Sequence, residues 1–306
     1  CLSRGLGDVY KRQAFNSLEE IRLNWIGTAN KNTSLNIGVK VPYLFKSAVG
    51  SETNFKLFKQ DSVFVNLDFS ERLFYQLNLN SNIGVSGIIQ SSNFLLEDDS
   101  YLKSSYDDYS KIGFGLSYHY FLKHPFRLME GKSMLNVAVN SIRKKEKNFS
   151  WTEDLENKTV NQVEVGLKTF RLFELSKKHF LKASAEFRGL LTKDDDFSEN
   201  ELYRIGGFGS FRGFNEESIT ANMYGFLSAD YRFVPSEAFY IGLFADYGFI
   251  DNKRANLNTS LLSLGTGISF LTKMGIFNLS YAVGKTDETS FDFKESKIHF
   301  GILSQF

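Results

Sequence analysis

Apolar and polar residues alternate one for one along most of the chain. In Leu262–Phe270, Leu262, Leu264, Ile268 and Phe270 share one face, and Ser263, Gly265, Gly267 and Ser269 share the other. Phe277, Leu279, Tyr281 and Val283 alternate with Asn278, Ser280, Ala282 and Gly284 in the same way. Leu35, Ile37, Val39 and Val41 oppose Ser34, Asn36 and Lys40, and Val63, Val65, Leu67 and Phe69 oppose Asn66 and Asp68. Between Leu73 and Val85 the apolar set is Leu73, Leu77, Leu79, Ile83 and Val85, against Gln76, Asn78, Asn80 and Asn82. A period of two over so many segments predicts half-buried antiparallel strands. About fourteen are expected, near 17–27, 33–44, 51–58, 61–70, 72–91, 109–122, 132–146, 158–171, 178–192, 222–233, 237–250, 258–270, 275–285 and 296–306.

The connections alternate in length. Short ones fall near 45–50, 70–72, 172–177, 234–236 and 271–274, with an intermediate one at 123–131. Longer polar ones fall near 92–108, 147–157, 193–221, 251–257 and 286–295. Short turns on one rim and long loops on the other are the pattern of an outer-membrane barrel. Pro42, Pro125 and Pro235 sit at or beside short connections, where no ladder hydrogen bond is lost. A soluble β-sandwich also alternates, but its strands run about 5–6 residues. Several here are long enough to cross a bilayer at a tilt. Aromatic residues crowd the strand ends: Tyr43, Phe45, Tyr118, Tyr120, Phe121, Phe233, Phe239, Tyr240 and the terminal Phe306. The pattern predicts an all-β transmembrane antiparallel β-barrel.

Composition narrows the functional classes. The 36 basic and 35 acidic residues leave a net charge of +1, which offers no electrostatic footprint for nucleic acid. Mean hydropathy is −0.24, and no run of about 18 apolar residues provides a membrane helix. A barrel escapes that test because only alternate residues face lipid. Cys1 is the only cysteine, so neither a disulfide framework nor a thiolate metal site is expected. His119, His124, His179 and His299 are scattered singly, which argues against a metal centre. The glycines of "GGFGSFRG" lack phosphate-binding spacing, Ser210 is not in a nucleophile elbow, and no cofactor is expected. Arg143–Lys147 ("RKKEK") reads as a solvated charged tip that could touch lipopolysaccharide. Glu97–Asp99 and Asp194–Asp196 read as solvated loop acids. "SRGLGDVYKRQ", Ser3–Gln13, resembles a translated sequencing adapter; residues 1–13 are therefore set aside, and residues 14–306 are taken as the barrel domain.

The loop near 193–221 carries Arg212 between a phenylalanine and a glycine. On the next strand Tyr224, Ser228, Asp230 and Arg232 are expected to face the lumen. On the one after, Gly242, Asp246 and Gly248 are expected to do so. Two lumenal acids on adjacent strands, with glycines leaving space beside Asp246, could receive Arg212 if the loop folded inward. From spacing alone, Arg212 could equally be a solvated loop charge.

The motifs add a resemblance. "RIGGFGSFRGF" looks like the inward-folded loop of the BamA/TamA outer-membrane assembly superfamily, on Gly206, Gly207, Arg212, Gly213 and Phe214. "LFADYGFID" is similar to its aromatic-x-Asp-x-Gly motif, on Phe244, Asp246 and Gly248. "SADYRFVP" resembles the segment between them, with Asp230 where many members carry Glu. "SLGTGISFLTKMGIFNLSYAVG" and the terminal aromatic Phe306 resemble the last motifs. The resemblance is strongest over about residues 158–306. It implies that Arg212 contacts Asp246 and Asp230 and clamps the loop inside the barrel. It also implies sixteen strands and upstream periplasmic domains, so a fragment beginning near the third strand is expected. The implied function is non-enzymatic assembly or insertion of unfolded β-barrel proteins through a lateral seam. Outer-membrane lipid, lipopolysaccharide and accessory lipoproteins would be its partners. A two-partner secretion pore exporting a secreted protein is the alternative within the superfamily, and a passive porin the alternative outside it.

Overall fold

The computed structural model describes residues 8–9, 20–27, 32–95, 106–126, 128–147, 158–193, 195–273 and 275–303. Fourteen long strands follow one another as a meander, each antiparallel to the next. They are β1 (Glu20–Gly27), β2 (Asn32–Val41), β3 (Val49–Gln60), β4 (Phe64–Asn78), β5 (Ser81–Phe94), β6 (Asp108–Leu122), β7 (Ser133–Lys147) and β8 (Thr159–Ser176). β9 (His179–Thr192), β10 (Met223–Ser236), β11 (Phe239–Asn252), β12 (Leu257–Leu271), β13 (Ile276–Thr286) and β14 (Lys297–Leu303) complete the wall. Asp8–Val9 adds a two-residue parallel bridge to Ile302 and Leu303 at the outer edge of β14.

Burial is inverted relative to a soluble protein. On β6, Ile112, Phe114 and Leu116 are 62%, 70% and 66% exposed, while Lys111 on the other face is 4% exposed. Leu227 and Leu243 are likewise exposed, and Arg232 and Asp246 are buried. Apolar residues outside and charges inside suit a wall with lipid on one side and a polar lumen on the other.

The expected turn at 70–72 is not observed, and the expected strand 72–91 is two strands. The chain turns instead at Leu79–Asn80, between β4 and β5. The turn is tight: the Asn80 N–H donates to Asn78 Oδ1 at 2.9 Å. The pairing Tyr75↔Ile83 and Leu73↔Val85 keeps odd-numbered residues outside on both strands. The alternation therefore runs through the hairpin without a break, and the sequence pattern conceals it. Leu79 is at the tip, 91% exposed, and not on the wall.

Arg143–Lys147 is also not a solvated tip. It continues β7, so its residues alternate: Arg143 and Lys145 are exposed, whereas Lys144 and Glu146 are buried. Glu97–Asp99, Asp194 and Phe306 lie outside the described residues. The intermediate connection, described at 123–126 and 128–132, reaches the lumen, where Leu128 and Glu130 line a cavity with Lys182 and Arg232. Leu128 and Met129 are buried there, and Met129 packs with Leu172, Phe180 and Val234.

Candidate functional site

The connection between β9 and β10 enters the barrel. A short antiparallel ribbon, Tyr203–Ile205 with Ile219–Ala221, carries the chain in and out. Between its arms the tip folds on itself. The Gly207 N–H donates to Phe211 O at 2.9 Å, and Ser210 Oγ accepts from the Gly206 N–H at 2.8 Å. Gly206, Gly207 and Gly213 hold φ of 112°, 92° and 84°, a region that side chains rarely adopt, which explains the glycine content of the motif. The turn points Phe211 and Arg212 at the wall. Phe211 is 1% exposed and joins Ile205, Ala221, Tyr224, Phe226, Ile250 and Leu261 in an apolar cluster.

Strand register builds the receiving surface for Arg212. Ser228 on β10 pairs with Asp246 on β11, and Asp230 pairs with Phe244. These four lumen-facing residues surround the guanidinium. Arg212 Nε donates to Asp246 Oδ2 at 2.8 Å, and Nη2 donates to Asp246 Oδ1 at 2.5 Å, a bidentate fork. Nη1 donates to Asp230 Oδ1 at 2.8 Å, and Nη2 also donates to Ser228 Oγ at 2.8 Å. Ser228 Oγ–H donates to Asp246 Oδ1 at 2.5 Å. The Phe244 ring lies under the guanidinium, 3.5 Å from its carbon, and adds a cation–π contact.

The small residues of the neighbouring strands make the room. A Cβ on Gly265 would stand 2.3 Å from the Phe244 ring. A Cβ on Gly284 would stand 2.6 Å from the Phe214 ring and 2.9 Å from Gly213 O. Gly248 makes room for Phe211 and Phe226, while Gly242 lies beside the Arg232 stem and away from the loop. Two partners were not expected. His299 Nε2 accepts from the Gly213 N–H at 3.2 Å, and Ser228 bridges both charges. His299 carried a faint signal, since it is a polar residue at an inward position of the last strand.

Gly284→Val is expected to push the Gly213–Phe214 step off the wall without unfolding β13, because the change is in the lumenal side chain and the backbone pairing of Gly284 with Ser263 is kept. Faster proteolysis of the loop in a barrel of unchanged heat-modifiable gel mobility would show it. Glu216 offers a second handle. Burial pushes its carboxyl up to about 7, Glu217 adds to the effect, and the Phe208 N–H opposes it. The docked loop therefore favours the protonated acid. That contribution is complete below the ordinary glutamate range and is lost as pH rises through about 7. Loop cleavage is expected to quicken as pH rises from about 4.5 to about 7, and Glu216→Gln to flatten the rise.

Beneath the loop lies a chamber of about 640 Å³, lined by Arg212, Asp230, Asp246, Glu130, Lys182 and Arg232 among others. Phe208, Gly209 and Ser210 of the loop line it, as do Leu128 and Glu130 of the connection after β6. No group of three or more potential metal ligands occurs among the described residues. The arrangement is suited to occluding a polar passage and releasing it.

Similarity to solved structures establishes the fold. The chain is similar to BamA from Haemophilus ducreyi lacking POTRA domains 1–3: 15% identical, TM-score 0.63, covering 92% of this chain and 63% of that one. CdiB from Acinetobacter baumannii is 16% identical, with a TM-score of 0.58, over 92% of this chain and 52% of that one. CdiB from Escherichia coli is 12% identical, with a TM-score of 0.51, over 92% and 58%. The chain thus spans between about half and two thirds of the length of these structures. No curated protein matches the sequence. Residues 76–270, well over half of the chain, match the family described as haemolysin secretion/activation protein ShlB/FhaC/HecB. The chain belongs to that family, whose members are non-enzymatic β-barrels of the bacterial outer membrane.

Proposed function

We propose that this barrel is the pore of a two-partner secretion system, exporting a β-rich protein across the outer membrane without nucleotide hydrolysis. The observation that carries the reading is the family match across β4–β12, a stretch that contains the whole lumenal loop and its receiving strands. The motifs around Arg212 led the sequence towards an assembly factor. The family match favours secretion. The lumen supports it physically. Inward positions of β10–β13 carry Ser228, Asp246, Asn278 and Ser280, hydrogen-bonding groups that an extended polypeptide could slide past in water once the loop had left. The loop and the 123–132 connection would hold the resting passage shut, with the Arg212–Asp246–Asp230 clamp fixing the loop. The partners would be the secreted protein and, around the wall, outer-membrane lipid and lipopolysaccharide.

The test is co-expression of the full-length protein with the secreted protein encoded beside it. Surface export that depends on this barrel supports the reading. No export, together with rescue of outer-membrane protein insertion in cells depleted of their assembly barrel, would replace it with the assembly reading. Free permeation of small solutes through the unaltered protein would favour a porin.

A further inference from the structure

The loop grips the wall a second time, eleven residues before Arg212. Just before the ribbon, Ser198–Glu201 forms one tight turn closed by a capping box, in which the Ser198 N–H donates to Glu201 Oε1 at 2.8 Å. The Glu201 side chain is 0% exposed. Its carboxylate meets Lys111 of β6 at 2.7 Å and Lys144 of β7 at 2.8 Å, and accepts from Gln162 Nε2 of β8 at 3.1 Å. Lys144 also meets Glu146 at 2.8 Å and donates to Ser198 Oγ at 3.1 Å. Two lysines and two glutamates thus form a neutral buried quartet. Asn200, 2% exposed, widens the grip. Its carbonyl accepts from Asn66 Nδ2 of β4 at 2.6 Å and from the Tyr109 hydroxyl of β6 at 3.2 Å. Its Nδ2 donates to Ser92 Oγ of β5 at 2.6 Å. Burial alone would push the Glu201 carboxyl up, but Lys111 and Lys144 outweigh it and hold the group at about 2.

The stem of the loop is therefore bound to β4–β8, and its tip to β10–β11, with one further hydrogen bond to His299 of β14. The two grips share no residue, stand on arcs of wall separated by β9, and use opposite charges from the loop. A passage that opens by withdrawing the loop must break both.

We propose that Glu201 is a second, independent clasp of the lumenal loop, acting in series with Arg212 to keep the pore shut. Glu201 is a positioning residue: it holds the loop's stem, touches nothing in transit, and sets how often the whole loop leaves. The inference rests on the pore reading for its conductance readout alone.

The experiment uses the full-length protein in planar bilayers, as the parent and as Glu201→Gln, Arg212→Ala and the two combined. Lys111→Met with Glu201→Gln removes the buried lysine that Glu201→Gln would leave unbalanced, so a failure to fold is separated from a failure to hold. Each barrel is first shown to be folded by heat-modifiable mobility. Two clasps in series predict that Glu201→Gln raises the open probability roughly tenfold, the factor for about 1.4 kcal/mol of lost holding energy. The double variant should approach the product of the two single effects, because distant, independent sites add in free energy. Where Arg212→Ala conducts, an open probability for Glu201→Gln and for its Lys111→Met partner variant equal to the parent's would overturn the proposal. So would a double variant no more open than Arg212→Ala. A second readout is independent of conduction. Leu202→Cys, at a position 6% exposed beside the clasp, should react with a membrane-impermeant maleimide faster when Glu201→Gln is added. If no variant conducts but the labelling quickens, the pore reading fails and the clasp stands. Unchanged labelling overturns the clasp.

Discussion

Arg212→Ala in the full-length protein is expected to free the tip of the lumenal loop, residues 206–218, while the barrel stays folded. The substitution removes four hydrogen bonds to Asp246, Asp230 and Ser228 and the contact over Phe244. It also strands Asp246, whose side chain is 5% exposed, with Ser228 as its remaining hydrogen-bond partner. Removing one partner of a buried ion pair costs about 3–5 kcal/mol, because the other charge is left unpaired. The wet lumen and the 19% exposure of the Arg212 side chain put the cost at or below the low end of that range. Arg212→Lys is expected to recover only part of it, since a single ammonium cannot span two carboxylates with a planar fork. Asp246→Asn should cost more than Asp230→Asn, because Asp246 receives two of the bonds and Asp230 one. Protease cleavage within the tip, timed in folded barrels, is the measurement. Cleavage of Arg212→Ala at the parent rate would remove the clamp from the account.

Phe114→Arg is expected to be the most damaging single change on the wall. Phe114 is 70% exposed near the middle of β6, on the face that carries Ile112 and Leu116. A midplane arginine facing lipid costs about 2–4 kcal/mol in an outer-membrane barrel. The same residue placed at Asn278, which lines the chamber, meets water and polar groups and should leave folding nearly intact. The denaturant midpoint for refolding into lipid vesicles, compared for the two variants, checks both statements. Equal loss for both would mean that the inside and outside of this wall are assigned wrongly.

Most of the wall was legible because period-two alternation reports a half-buried strand directly. On β10 and β11 it also reported the correct faces: Asp230 and Asp246 inward, Leu227 and Leu243 outward. It failed where it had no means of succeeding. A tight turn at Leu79–Asn80 keeps parity, so no signal marked the hairpin. The charged run at Arg143–Lys147 masked the inward positions of Lys144 and Glu146. The tip of the loop was legible through its glycines and, for Arg212, through resemblance to a superfamily motif, since spacing alone left Arg212 as readily a solvated charge. The stem was not, because "SENELY" reads as ordinary polar loop. The overlooked signal was on the wall. Lys111, on the inward parity of β6 beside Gly113 and Gly115, is a buried cation in need of an acid.

The two grips of the loop differ in how much water reaches them. Side-chain exposure is 19% at Arg212 and 0% at Glu201. Dissolved ions therefore act on them unequally. At 1 M salt the screening length falls to about 3 Å, short enough to weaken the Arg212 pair, while the enclosed Glu201 quartet is shielded from the same ions. Recordings in concentrated electrolyte would then sample a barrel with its loop tip loosened and its stem held. The half-released state, rare in dilute buffer, becomes the one most easily seen.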